Sequence, residues 1–491
     1  MTTNHRPVLT VISEQEITRI LDEALDVLTQ VGLLIEHPTV VEWLMAAGAT
    51  LKGNPPRTCI PCDLVETCLK SAPSEIKIYD RDGNDSMQLS GFNVHFDPGS
   101  AALNILDWKN NMIRKPTSHD AVEFHKLTEV LPNFAAQSTG VIPDDVPREI
   151  ADRWRLFIAL QHCQKPIVTG TFAPESWKPM VDMLAAIRGG RKELKEKPLA
   201  IFDVCPSPPL TWSHLGCQTL IDGAKDNIPV EFVSMPLAGA TAPVTLAGAL
   251  VQHTEETLGG VVITQVISPG TPVIYGGSPA VFDMREGTTP MGAVETMMID
   301  VAYNQIGKHL NLPTHAYMGL SDAKRVDAQA GLESGTGAML ATLAGINVVS
   351  GAGMMDFESC QSLIKLVIDH DICGMALRLV RGIKFRDNLL AEDLRGDLSS
   401  GDIFLTSPLT LSAFHEEQYI PSNVIDRKNL SEWERTGSKT LDIRAKQRVE
   451  HLLDSYESKP LENKLVTEFR EIMASSAEQQ GFSDLPWENV E

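Results

Sequence analysis

LPTHAYMGLSDAKRVDAQAGLESGTGAMLATLAGINVVSGAGMMD, residues 312–356, decides the fold. Two short apolar runs, PTHAYMGL and NVVSGAG, bracket a polar turn and the long small-residue segment AQAGLESGTGAMLATLAG. A short apolar run bounded by turn residues reads as a strand buried on both faces. A segment too long for a strand, between two such runs, reads as the helix of a parallel crossover. The unit is therefore strand–helix–strand, and both strands end in glycine.

Upstream the same rhythm repeats. NVHFDPG, FAAQSTGV, KPIVTGTF, LAIFDVC, PVEFVSMP and PVIYGGSP are six further strand candidates, near residues 93, 134, 165, 199, 229 and 272. Helical stretches such as EIADRWRLFIALQHC and LAGALVQHTEETLGGVVITQVI separate them. Eight strand–helix units in order are what a (β/α)8 TIM barrel, a parallel α/β fold, requires. A doubly wound sheet would want fewer units and an early Gly-x-Gly-x-x-Gly turn, and no glycine run here has that placement.

The barrel rhythm spans residues 92–385. Residues 1–91 read as a mostly helical N-terminal extension, opened by a Ser13/Glu16 capping box and closed by the strand-like SEIKIYD. Residues 386–491 read as a helical C-terminal extension: a turn-rich stretch, then helices joined near Lys459-Pro460, then an acidic tail in which Trp487 is the one docking candidate. The extensions are candidate surfaces for a docking partner or a homo-oligomer contact.

Sixty-four acidic residues against 42 basic ones give a formal charge of −22, the wrong sign for a general nucleic-acid binder or for an anionic membrane surface. No long uncharged apolar stretch and no basic-then-apolar leader appear, so a cytoplasmic enzyme is expected. The eight cysteines are scattered; Cys59-x-x-Cys62, with Cys68 nearby, has no second pair to complete a metal site, and reduced structural thiols are expected.

Barrel active sites gather where the strands end. The candidates there are Phe96 and Asp97, Thr171 and Phe172, Phe202 with Asp203 and Cys205, Phe232 and Ser234, Tyr275 and Phe282, His315 and Tyr317, and Asp356, Phe357 and Glu358. Aromatic residues are frequent on that roll although the chain is only 6% aromatic. Aromatic faces hold a quaternary ammonium, which has no N–H to donate; they equally fill cores or face sugars, flavins and corrins. Familiar nucleophile, zinc-protease and phosphate-loop motifs are missing, and no strand-end lysine or paired carboxylates stand out. Asp356 and Glu358 read as the polar start of the loop after the last strand, the alternative being that one of them faces an ammonium. Asp322 and Lys324 read as a structural ion pair.

Residues 312–356, together with SPGTPVIYGGSPAVFDMREG at 268–287 and PLAGATAPVTLAGALVQHTEETLGGVV at 236–262, resemble the trimethylamine methyltransferase family, and the resemblance runs through RKNLSEWERTGSKTLDIRAKQR near the C-terminus. It implies a (β/α)8 barrel that moves a methyl group from an amine to the cobalt of a corrinoid (cobalamin) carried by a separate, cognate corrinoid protein. The founding type carries pyrrolysine in the barrel; this chain is written in the twenty standard residues. That departure implies the branch without pyrrolysine, which acts on a quaternary amine, glycine betaine foremost. The chemistry agrees: Co(I) attacks the methyl carbon in line, and a quaternary ammonium leaves as a neutral tertiary amine without acid or metal. Proximity and orientation suffice.

On this reading Tyr275, Tyr317 and Phe357 form aromatic walls, with Phe172 and Phe202 beside them, and His315 takes the betaine carboxylate. Carnitine, choline or proline betaine would be taken by a differently shaped pocket. A barrel that binds osmolytes without turnover is the non-enzymatic alternative. A resident corrinoid would need Asp-x-His-x-x-Gly. Asp369-His370-Asp371-Ile372-Cys373-Gly374 fails that spacing and reads as helix.

Overall fold

The computed structural model describes residues 6–386, 394 and 404–490. Eight short strands form its centre: β1 (His95–Pro98), β2 (Gln137–Ser138), β3 (Ile167–Gly170), β4 (Ala200–Val204), β5 (Val230–Phe232), β6 (Val273–Ile274), β7 (His315–Tyr317) and β8 (Val348–Ala352). Each lies within one of the eight expected runs. Strands β2 to β6 pair in parallel, and β7, β8 and β1 do the same. Two parallel bridges, Phe96 to Phe134 and Tyr275 to Thr314, join these arcs into a closed ring. The Ala135 N–H donates to the Phe96 carbonyl and the Tyr275 N–H to the Pro313 carbonyl, both at 2.8 Å.

A long helix follows each strand: α1 (Ser118–Glu129), α2 (Ala151–His162), α3 (Trp177–Arg188), α4 (His214–Asp226), α5 (Leu246–Ile267), α6 (Val294–His309), α7 (Ala328–Ala344) and α8 (Leu363–Val380), with the short helix Arg191–Glu196 added after α3. Side-chain caps start several of them, Ser213 on α4, Thr245 on α5, Asp327 on α7 and Ser362 on α8. None of the helices is long and apolar enough to cross a membrane, among the described residues.

The N-terminal extension carries two β-hairpins besides its three helices, so it is less helical than its sequence reads. The SEIKIYD strand is Ile76–Tyr79, paired antiparallel with Asp85–Leu89. This hairpin closes the floor of the barrel. Ile76, Ile78, Met87 and Leu89 bury against Ala136, Val168, Ile201, Ile274 and Val348, which point inward from five strands. The floor is thus apolar and sealed, and any ligand must enter from the other end.

The C-terminal helices Leu441–Asp454 and Asn463–Gln479 wrap the helical ring, the first against α8 and α1, the second against α3 and α2. Trp487 docks edge-on to Trp154 and Phe157. Part of the turn-rich stretch, residues 395–403, lies outside the described residues.

Candidate active site in the barrel mouth

Strand alternation sorts the residues of the mouth. Register pairs Gly170 with Asp203, Asp203 with Glu231, and Tyr317 with Ser350. These positions, with Asp97, Gly276 and His315, face the barrel interior. Their neighbours in sequence face the helices.

The outward face takes two of the expected site residues. Tyr275 is fully buried between strand and helix, and its hydroxyl donates to Thr254 Oγ1 on α5 at 3.1 Å. Phe202 is fully buried against Trp177 of α3, ring centroids 4.4 Å apart. Neither reaches the mouth. Large rings sit there because the strand–helix layer is where bulky apolar side chains interdigitate.

The inward face is acidic instead. Asp97, Asp203 and Glu231 project inward from β1, β4 and β5 and lie close enough to raise one another's proton affinity. Ser350 Oγ donates to Asp97 Oδ1 at 2.8 Å and lies 3.2 Å from His315 Nε2. His315 Nδ1 stands 3.2 Å from Glu231 Oε1, and the Tyr317 hydroxyl donates to Asp203 Oδ2 at 3.4 Å.

Desolvation dominates these groups. It pushes Asp203 up to about 7 and, with the facing Asp203 charge adding to it, Glu231 well above the usual carboxylate range. Two facing carboxylates in a low-dielectric site cannot both ionise, so the pair shares a proton. Asp97 is likewise raised by burial, with Asp203 adding to the effect. Burial drives the His315 imidazole down to about 3, so it is neutral and offers no charge to a carboxylate. Paired carboxylates, which the sequence reading did not find, are therefore the central feature of the mouth.

Two glycines make the space. A Cβ on Gly276 would lie 2.8 Å from the Phe232 carbonyl and 2.9 Å from the His315 ring, whereas on Gly170 it would meet nothing closer than 3.5 Å. Gly276→Ala should cost about 1–3 kcal/mol by overpacking. Gly170→Ala should leave the denaturant midpoint nearly unchanged, and comparing the two midpoints checks the assignment.

The rim is built from the loops. Cys205 is open to water yet surrounded by protein, as a wall residue of an internal cavity is, and burial lifts its thiol to about 12. Phe172 is 41% exposed at the end of β3; its N–H donates to Asp152 Oδ2 at 2.6 Å, and its ring lies 5.1 Å from the Arg155 guanidinium. After β8 the chain turns back as Met354–Met355 against Cys360–Ser362. Asp356, Phe357 and Glu358 between them hold φ of 51°, 56° and 65°, three consecutive left-handed residues and none of them glycine. Such strain clusters at functional sites.

The turn puts the Phe357 ring under the Lys324 ammonium, 3.8 Å away. It also buries the Glu358 carboxyl, whose proton affinity burial raises to about 8. Lys324 pairs with Asp356 at 3.6 Å, whereas the Asp322 carboxylate accepts from the Met291 and Gly292 N–H groups. The expected Asp322–Lys324 ion pair is therefore replaced by Lys324–Asp356, because Asp322 is already held by those backbone donors.

Of the expected site residues, the fold brings His315 and Tyr317 to the cavity and Phe172 and Phe357 to its rim. Glu231, Ser350 and Arg155 were not among the candidates. The signal for Glu231 was present: a carboxylate inside PVEFV cannot face the apolar helix layer. The segment Asp369–Gly374 lies within α8, where Asp369 binds Lys365 and Asp371 accepts from Tyr419 and Ser422. It is structural.

A model of the family described as Trimethylamine methyltransferase (MTTB) matches residues 1–481. The chain is 30% identical over 469 residues to the trimethylamine methyltransferase of Desulfitobacterium hafniense, covering 96% of this chain and 94% of that protein. It is 29% identical to a glycine betaine methyltransferase of Desulfitobacterium hafniense, covering 97% and 98%. The solved Methanosarcina barkeri monomethylamine methyltransferase shares the fold, with a TM-score of 0.51 at 9% identity over 92% of this chain and 89% of that one. Strand order, sealed floor and a match along nearly the whole chain agree: this protein belongs to the trimethylamine methyltransferase family.

Proposed function

We propose that this methyltransferase takes a methyl group from a quaternary amine, glycine betaine foremost, and delivers it to Co(I) of a corrinoid held by a cognate partner protein, leaving dimethylglycine. The observation that carries the reading is the Asp203–Glu231 pair set in an otherwise closed barrel beside Tyr317. An ammonium seated there meets one negative charge when the pair has lost its first proton, and none before.

That adjustable charge suits the reaction. The substrate is a cation when it binds, but its nitrogen loses charge as the methyl leaves. A fixed carboxylate would hold the ground state more tightly than the transition state and slow the step. A proton shared between two carboxyls limits that penalty. The product amine is neutral when formed and is a base, so the pair is also placed to give it a proton on release. The sealed floor leaves the mouth as the approach for cobalt, and the enzyme's own contribution is to aim a methyl group there. The corrinoid, carried by its own protein, acts as the second substrate.

The relative named a glycine betaine methyltransferase supports the choice of donor. A panel of glycine betaine, carnitine, choline, proline betaine and trimethylamine, incubated with Co(I) cobalamin and followed as methyl-Co(III) appears, tests it. Turnover with glycine betaine is expected. Turnover with another amine alone moves the substrate, and binding without turnover on any amine or with the cognate corrinoid protein favours an osmolyte-binding barrel.

A further inference from the structure

Arg153 and Arg155 are both 1% exposed on α2, but only the first has a carboxylate within ion-pairing distance. Arg153 donates to Ser476 Oγ, Ser176 Oγ and the Glu149 carbonyl, and lies 3.3 Å from Asp152 Oδ1. Arg155, two residues on, reaches over the ends of β1 and β2. Its Nε donates to the Thr139 carbonyl at 3.1 Å, and its Nη2 to Ser100 Oγ at 3.2 Å and to Thr139 Oγ1. Nη1 has no partner. Among the described residues no carboxylate lies within ion-pairing distance of this guanidinium.

A buried cation with a vacant donor is destabilising unless an anion meets it. The long-range pull of Asp152, Asp203 and Tyr317 offsets only part of the burial, which brings the group down to about 10, still charged at neutral pH. The Phe172 ring, fixed through its backbone by Asp152, covers one side. His315 is neutral and engaged with Ser350.

We propose that Arg155 is the anion subsite of the mouth: its Nη1 receives the carboxylate of the substrate while the ammonium lies toward Asp203 and Tyr317, which restricts the donor to zwitterionic quaternary amines. This rests on the quaternary-amine reading above and adds the residue that separates betaines from choline-type cations. It moves the carboxylate contact from His315 to Arg155. Arg155 acts by binding and positioning, since no proton moves through it.

Calorimetry on the full chain without corrinoid tests the subsite with three probes. Glycine betaine carries both charges, choline only the ammonium, and 3,3-dimethylbutanoate, the carbon isostere of glycine betaine, only the carboxylate. The unmodified protein should bind glycine betaine at least tenfold more tightly than choline. Arg155→Met should weaken glycine betaine and dimethylbutanoate by about ten- to a hundred-fold, as expected for a lost charge-assisted hydrogen bond. Choline should stay within about threefold, and Arg155→Lys should recover part of the loss, the charge without the planar fork. An unchanged melting curve shows that the variants are folded.

Equal weakening of all three probes would make Arg155 a purely structural residue and overturn the proposal, as would no weakening of any. Choline binding as tightly as glycine betaine to the unmodified protein would overturn it too. Arg155-dependent binding of glycine betaine without methyl transfer would leave the subsite standing and remove the reaction reading. Preferential demethylation of choline would do the reverse.

Discussion

Replacing Asp203 with asparagine should weaken binding of a quaternary ammonium about tenfold or more at pH 8 and hardly at all at pH 6. The sign follows from the raised proton affinity of Asp203, about 7, in a site where Glu231 holds its proton still more firmly. Below that pH the pair is neutral, and asparagine resembles what is already there. Above it the pair carries one negative charge, and asparagine removes it. Close charge pairs in desolvated sites couple by about 1.5 kcal/mol or more, which is the tenfold.

The catalytic constant should move the other way. Methyl transfer discharges the ammonium, so the ionised pair opposes the step it helped to prepare. In the unmodified enzyme the dissociation constant and kcat should therefore both fall as pH rises through 7, and both dependences should flatten in Asp203→Asn. Calorimetry and single-turnover rates between pH 6 and 8.5 measure the two separately. A pH-independent affinity in the unmodified enzyme would remove the acid pair from the mechanism.

The second large effect is on stability. Lys365 Nζ lies 2.5 Å from Asp369 Oδ2 and 2.6 Å from Ser334 Oγ, with both charged side chains almost wholly buried in α8. Asp369 Oδ2 also accepts from the Gly353 N–H at 2.7 Å, so this pair ties α8 to the strained loop after β8. Lys365→Met leaves a buried carboxylate without its partner and should cost about 3–5 kcal/mol.

Burial already raises the proton affinity of Asp369, with Lys365 holding it back; removing the lysine raises it further. The folded variant then binds a proton that the unfolded chain releases near pH 4. Its stability should fall as pH rises through the new folded value, so the loss is greater at pH 8 than at pH 5. The double variant Lys365→Met/Asp369→Leu should recover most of it. Denaturant unfolding at the two pH values checks each part.

All eight strands were legible because a parallel strand buried on both faces appears as a short apolar run ending in turn residues. PVIYGGSP and NVVSGAG need no tertiary information to be read that way. The direction of each side chain was harder. Tyr275 and Tyr317 both stand at strand ends, but one-residue parity decides which faces the cavity. The parity markers were the charges: Asp203 in AIFDVC and Glu231 in PVEFV must point inward, which turns Phe202 and Phe232 outward.

Arg155 was not legible. It lies inside EIADRWRLFIALQHC, where Arg153 looks no different, and only the packing of α2 over two strand ends separates them. The floor hairpin was half legible. SEIKIYD alternates as a strand should, but its partner DSMQL carries only two apolar residues, and their burial depends on the barrel beneath.

The most direct measurement follows an isotopically labelled methyl group through a single turnover with glycine betaine and the cognate corrinoid protein in its Co(I) state. One labelled methyl–cobalt bond is expected for each dimethylglycine formed, with no transfer when Co(I) is omitted. Label that stays on glycine betaine, with every quaternary amine tried and the cobalt fully reduced, would contradict it.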